Sequence, residues 1–292
     1  MKLLKKLTQV VSPSGNEDGI IKVIQSKIQG LVDEIYTDAL GNLIAHKKGS
    51  GKRIMLAAHA DEIGVMVTFI EDNGFLRIHN VGGVKPSWAV GTRVRFISGV
   101  CGVVYYDQKA DAAKLSFDDL YLDIGASTKK EAEELVSIGD VAAFEGELIE
   151  QGNVVVSKAL DNRVGCYCLI ECIRCLKKTD NDLYFVFTAQ EELGLRGAGP
   201  AAFGIEPDIA IAVDVTSTGD VIGAKTMAVK LGGGAAVKVR DDRIITHHDV
   251  RKLLVDTAIE NKIPYQMEVL TFGGTDVGAI HQTKGGVKSG AV

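Results

Sequence analysis

Three runs of consecutive apolar residues constrain this chain more than any other feature. They are "RIMLAA" (Arg53 to Ala58), "LYFVFTA" (Leu183 to Ala189) and "DIAIAVDV" (Asp208 to Val215). A strand with one wet face alternates apolar and polar residues, so a run that does not alternate needs cover on both faces. Amphipathic helical patterns from Asn162 to Lys177 and from Val250 to Asn261 can supply it. The expected fold class is therefore α/β, a sheet flanked by helices. With 292 residues and 46% hydrophobic content, the chain can bury a large core as one domain or two.

The stretch from Met66 to Asn153 has another texture. "FLRIHNV", "TRVRFISGVCGVVYY" and "GDVAAFEGELIEQGNVVV" are short, glycine-punctuated and often alternating. These are the signals of a small antiparallel, barrel-like β-domain. Thr128 with Glu131 three residues on predicts a capped helix inside it. No Pro/Ser-rich linker flanks the block, which reads as an insertion at 66–153 into a discontinuous domain formed by 1–65 and 154–292.

The chain ends each buried run in groups that can do chemistry. His59, Asp61 and Glu62 follow the first, Gln190, Glu191 and Glu192 follow the second, and Asp214 lies at the end of the third. In open α/β sheets, ligands collect at the carboxyl ends of the strands, so these side chains should meet in one crevice. Asp161 stands immediately before the predicted helix at Asn162. Taken singly, each has a structural explanation: a packed histidine, a helix N-cap at Asp161, an acidic first helical turn at Glu191 and Glu192. Taken together, those explanations leave at least four carboxylates converging with nothing to offset their repulsion. One histidine among several carboxylates is a ligand set for a divalent metal, zinc or cobalt. The number of carboxylates suggests two ions, which a bridging carboxylate holds about 3.5–4 Å apart. Asp61, two residues past His59, is placed to accept the second ring N–H of that histidine. Adjacent residues on a regular strand point to opposite faces, so Glu191 and Glu192 can serve one site only if the strand ends at about Ala189.

Other features exclude other classes. A net charge of −5 offers no basic surface for a nucleic-acid backbone. No apolar run approaches the roughly 20 residues of a membrane-spanning helix. "MKLLKKLTQVV" lacks the apolar core and cleavage site of a signal peptide, so a cytoplasmic location is expected. Cys168, Cys172 and Cys175 fall at helical spacing among Leu169, Ile173 and Leu176 and are expected to be buried structural thiols.

The ordered set His59-Ala60-Asp61, Leu160-Asp161-Asn162-Arg163, Gln190-Glu191-Glu192 and Val213-Asp214-Val215 resembles one family closely. "KIPYQMEV" and "FGGTDVGAI" strengthen the match. The chain is similar to metallopeptidase family forty-two, the TET or glutamyl aminopeptidases, some of which carry an endoglucanase label. The resemblance implies a zinc-exopeptidase-like mixed sheet and an inserted dimerisation domain. It further implies homodimers that build a tetrahedral dodecamer acting on short peptides. It makes His59 and Asp214 terminal ligands of one zinc or cobalt ion, Asp161 the bridging ligand, Glu192 a ligand of the second ion, and Glu191 the general acid/base. Family members run on past "GGVKSGAV" to a further histidine on the second ion. Because this sequence stops at Val292, the second site is expected to be weak. Two rivals stand beside the aminopeptidase. A glycoside hydrolase needs carboxylates flanking a sugar about 5–9.5 Å apart, which sequence neighbours such as Glu191 and Glu192 supply poorly. The other is a non-catalytic peptide-binding subunit on the same scaffold.

Overall fold

The computed structural model describes residues 1–292, which divide into two compact units. One comprises Met1–Ile20 and Asp61–Leu160, the other Ile21–Ala60 and Asp161–Val292. Helices α1 (Lys2–Gln9) and α2 (Asp18–Ile28) open the chain, followed by strands β1 (Glu34–Thr37), β2 (Leu43–Lys47) and β3 (Arg53–His59).

Six strands then close a barrel: β4 (Gly64–Ile70), β5 (Leu76–Val81), β6 (Arg93–Phe96), β7 (Cys101–Tyr106), β8 (Leu120–Asp123) and β9 (Val141–Phe144). The order around it is β4-β5-β8-β7-β6-β9, and every pairing is antiparallel. Closure removes the free edges that six short strands would otherwise present. Alternation fills the inside with Val65, Val67, Leu76, Val94, Val104 and Leu122. At Gly64 a Cβ would lie 2.4 Å from the Ala142 carbonyl oxygen, so only glycine permits this approach of β4 to β9. Two short helices belong to this unit, α3 (Pro86–Ala89) and α4 (Lys129–Glu133). Thr128 caps α4 by accepting the Glu131 N–H, but the Glu131 carboxylate accepts from the N–H of Ser127 rather than that of Thr128. A hairpin of β10 (Ile149–Gln151) and β11 (Val154–Val156) follows.

The rest of the second unit is α5 (Leu160–Cys175), β12 (Asp182–Thr188), α6 (Ala198–Ile205), β13 (Ile209–Ala212), β14 (Ala235–Arg240), α7 (His248–Glu260), β15 (Tyr265–Val269), α8 (Val277–Ile280) and β16 (Lys288–Ala291). Its main sheet has the order β1-β2-β12-β3-β13-β16. The sheet is mixed: β12, β3, β13 and β16 run parallel, while β2 is antiparallel to both β1 and β12. Phe185, Val186 and Phe187 are successive and fully buried, so both faces of β12 are covered, as the unalternating run requires. One face packs on α6 and α8 through Ala198, Ala202, Ile205, Val277 and Ile280. A separate parallel pair joins β14 and β15. No helix is long and apolar enough to cross a membrane.

The cysteine expectation fails. Cys168, Cys172 and Cys175 are exposed, and Cys166 is the buried thiol. Helix α5 buries the stripe Cys166, Leu169, Ile170 and Ile173, which turns the other three cysteines outward.

Candidate metal centre

Because β3, β12 and β13 are parallel and in register, their carboxyl ends lie level. His59, the last residue of β3, stands opposite Thr188, the last of β12, and Ala57 stands opposite Ala212. Residues just beyond each strand therefore share one edge. Strand β13 stops at Ala212, two residues short of Asp214, so Asp214 lies just past the strand, its N–H donating to the Val292 carbonyl at 2.9 Å. Its carboxylate Oδ1 accepts the Val215 N–H at 2.8 Å.

Strand β12 ends at Thr188, and Gln190 takes a left-handed φ of 55°. That break lifts the alternation rule and leaves Glu191 on a turn closed by the N–H groups of Gly194 and Leu195, both donating to the Glu191 carbonyl. Helix α6 begins only at Ala198, so Glu191 and Glu192 are not its first turn. Buried Asn42 clamps the loop: its Oδ1 accepts the Ala189 N–H at 2.8 Å and its Nδ2 donates to the Gly197 carbonyl at 2.9 Å. A Cβ at Gly197 would lie 2.2 Å from that Oδ1, so the clamp requires glycine there.

Asp161 and Asn162 depart from helical geometry at the head of α5. Asn162 does the capping, accepting the Gly165 N–H at 3.0 Å, and its Nδ2 donates to the Val213 carbonyl at 2.8 Å. Asp161 is thereby released from the cap role that the sequence also allowed.

These elements bring four side chains together. His59 Nε2 lies 2.9 Å from Asp161 Oδ1, 3.8 Å from Asp214 Oδ1 and 3.8 Å from Glu191 Oε2. Ligand atoms of His59, Asp161 and Asp214 all fall within 4.8 Å of one another. The buried Cys166 thiol donates to the His59 carbonyl at 3.1 Å, fixing the strand end from below. Glu192 is not one of the three grouped donors, although its charge acts on Glu191. Asp61, fully buried just past β3, accepts the Ser14 hydroxyl at 2.6 Å.

Burial dominates the electrostatics. It pushes the Glu191 carboxyl up to about 9, with His59 opposing and Asp276, Asp214 and Glu192 adding to the rise. It pushes Asp214 up to about 8, with His59 again opposing and Asp161 and Asp276 adding. Carboxyls of raised pKa thus gather around the imidazole, and a divalent cation would favour their charged forms. The donor set, one imidazole nitrogen and carboxylate oxygens on a partly open edge, suits zinc or a similar ion.

Asp276 joins this edge although the sequence reading assigned it nothing. It is 2% exposed, and its Oδ2 accepts the Thr188 hydroxyl at 2.6 Å. Its place inside "FGGTDVGAI" was the available signal. The other five histidines are used elsewhere: His46 packs on Tyr184 with ring centroids 4.0 Å apart, His79 lies against Phe117 at 5.3 Å, His247 caps α7, His248 is its first residue, and His281 meets the Val277 carbonyl at 2.8 Å. Beside Asp214 opens a cavity of about 320 Å³ with no aromatic residue in its lining.

A family profile described as M42 glutamyl aminopeptidase matches residues 41–292. An Acetivibrio thermocellus protein named "Putative aminopeptidase" is 57% identical over 291 residues, 99% of this chain and 88% of that one. Among solved structures, an aminopeptidase of Desulfurococcus kamchatkensis is 38% identical with a TM-score of 0.94, covering 100% of this chain and 85% of its own. The Pyrococcus horikoshii TET1 peptidase, described as assembling into a tetrahedron or a large octahedral shell, is 35% identical with a TM-score of 0.87, covering 99% and 89%. A Thermotoga maritima structure named an endoglucanase is 36% identical with a TM-score of 0.84, covering 99% and 86%. Likeness of fold alone extends to an M18-family aminopeptidase of Thermotoga maritima, at 13% identity and a TM-score of 0.75, so the fold is zinc-exopeptidase-like.

Proposed function

The chain belongs to the M42 glutamyl aminopeptidase family, and on that footing we propose that it releases N-terminal residues from short peptides with Glu191 as its proton carrier. One observation carries this reading: three ligand atoms of His59, Asp161 and Asp214 lie within 4.8 Å of one another, with Glu191 Oε2 3.8 Å from the same imidazole nitrogen.

His59, Asp161 and Asp214 would hold the first ion. Asp161, with its side chain 57% exposed, would also reach toward a second ion shared with Glu192. A bound divalent ion supplies Lewis acidity, polarising the scissile carbonyl and making water acidic near neutral pH. Glu191 takes a proton from the water that attacks the first peptide carbonyl. As the C–N bond breaks, it hands that proton to the departing nitrogen. Asp61 is assigned to orient His59 once an ion is bound, since a carboxylate beyond a ligating imidazole fixes its tautomer; in the structure it accepts the Ser14 hydroxyl and makes no hydrogen bond to the ring Nδ1.

The endoglucanase name of one relative does not transfer to this site. Glu191 and Glu192 sit on one turn, and the cavity beside Asp214 offers no aromatic surface on which a sugar could stack. The barrel is assigned to subunit contact, since Trp88 and Ile138, 62% and 64% exposed, offer apolar anchors on its unit. The partner is a second copy of the chain, building a closed particle of the kind described for the Pyrococcus horikoshii relative. Release from a panel of aminoacyl p-nitroanilides, with zinc, with cobalt and with EDTA, tests the activity. Metal-dependent release is expected, and cleavage of a soluble cellulose in its place would overturn the reading.

A further inference from the structure

The cavity beside Asp214 has two charged side chains sunk into an aliphatic lining that includes Val164, Val215, Val229 and Ala236. Lys238 and Glu268 are 3% and 2% exposed and face each other across the β14–β15 pairing. Lys238 Nζ donates to Glu268 Oε1 at 2.8 Å, and the Thr216 hydroxyl donates to the same oxygen at 2.6 Å. Both donors thus converge on Oε1. Oε2 accepts no hydrogen bond and remains open to the cavity that Glu268 lines. Lys238 is also drawn toward Asp241 Oδ2 at 3.5 Å, so one buried ammonium serves two buried carboxylates. Lys230, the other lysine of the lining, is exposed, and solvent screens its charge.

A carboxylate oxygen open to an otherwise aliphatic cavity gains a stronger, charge-assisted hydrogen bond when a cationic guest takes the place of water. We infer that this cavity seats the side chain of the substrate's N-terminal residue, and that Glu268 selects lysine or arginine there. The inference rests on the aminopeptidase reading. A methylene stem matches the aliphatic wall, while an ammonium or guanidinium tip gives Oε2 its missing donor and offsets the surplus negative charge. A leucyl side chain fills the wall and gives Oε2 no cation. A glutamyl side chain brings a further carboxylate to a cluster already short of cations.

The test compares lysyl, arginyl, leucyl and glutamyl p-nitroanilides on the zinc-loaded protein. Lysyl and arginyl substrates should lead the other two by at least about tenfold in kcat/KM, the scale expected when a site's polar group loses its partner. In Glu268→Gln the lysyl-to-leucyl ratio should fall toward about one. A second measurement does not depend on that variant folding: calorimetry on the unaltered protein should show argininamide binding at least about tenfold more tightly than leucinamide. Leucyl or glutamyl substrates cleaved as well as lysyl ones would overturn the cavity assignment and leave the aminopeptidase reading standing. No release from any substrate would overturn that reading instead. Equal affinities of the two amides would then overturn the cavity assignment independently.

Discussion

At the start of β12 the Asp182 carboxyl is held below its ordinary range; beyond the end of the same strand the Glu191 carboxyl is pushed above its own. Burial works against the Asp182 charge, yet the His46 ring at 2.6 Å, the Gly49 N–H and Arg53 hold its carboxyl below the ordinary range. Burial pushes the Glu191 carboxyl up to about 9, with His59 opposing and Asp276, Asp214 and Glu192 adding to the rise. The amino edge of the sheet resolves its charges internally, as a structural ion pair does. The carboxyl edge gathers carboxyls of raised pKa around an imidazole, an arrangement that recurs where something from outside completes the site.

Exchanging charge for amide at both ends is the strongest way to break the contrast. Glu191→Gln should lower kcat by about 10²–10⁴ with bound metal retained, because a proton carrier is lost and no ligand is. Metal and activity lost together would make Glu191 a ligand.

Next in size is the pH dependence of stability in chelator-treated protein. Unfolded, Glu191 and Asp214 lose their protons near 4.5 and 3.8, whereas folded they keep them to about 9 and about 8. The folded state binds more protons over that window, so this stabilisation is full below about pH 4 and is lost as pH rises toward about 9. The Tm of chelated protein should therefore fall between about pH 5 and 9, and zinc should flatten the slope. A Tm that climbs over that range without metal would erase the contrast between the two edges.

Asp182→Asn sharpens the comparison from the other side. It weakens the hold on His46 and should cost about 1–2 kcal/mol in urea unfolding. Its kcat should match that of the unaltered protein; a large loss would mean that the amino edge is not merely structural.

Smallest in stability is Trp88→Ala, expected within about 0.5 kcal/mol because the ring is 62% exposed, yet light scattering should show a smaller particle. Unchanged size would count against the barrel as the subunit contact.

How much of this could be read beforehand follows from which signals are local. The runs at Arg53 and Leu183 announced β3 and β12 because unalternating apolar residues have few other uses, and the groups that follow them announced the edge. The end of β13 at Ala212 was not legible, since Val213 and Val215 are as strand-like as the residues before them. The cysteines were misread because α5 carries two plausible stripes. Only the packing decides that Leu169, Ile170 and Ile173 face inward and Cys168, Cys172 and Cys175 do not. Capping at α5 fell to Asn162 rather than Asp161, a choice between adjacent residues that depends on the Val213 carbonyl 51 positions away. Asp276 escaped for the same reason: its partner Thr188 lies 88 residues back, and no spacing rule reaches that far.

The claim that the carboxyl edge waits for a cation is tested most directly by calorimetric zinc titration at about pH 7 in buffers of different ionisation enthalpy. With Asp214 raised to about 8, its carboxyl holds a proton at that pH before metal arrives, and the ion must displace it to bind there; the ion's charge also draws Glu191 down from about 9. The prediction is tight binding accompanied by proton release, with affinity sharply reduced in His59→Ala. Zinc that fails to bind, or that binds without releasing protons and as tightly without His59, would contradict the account.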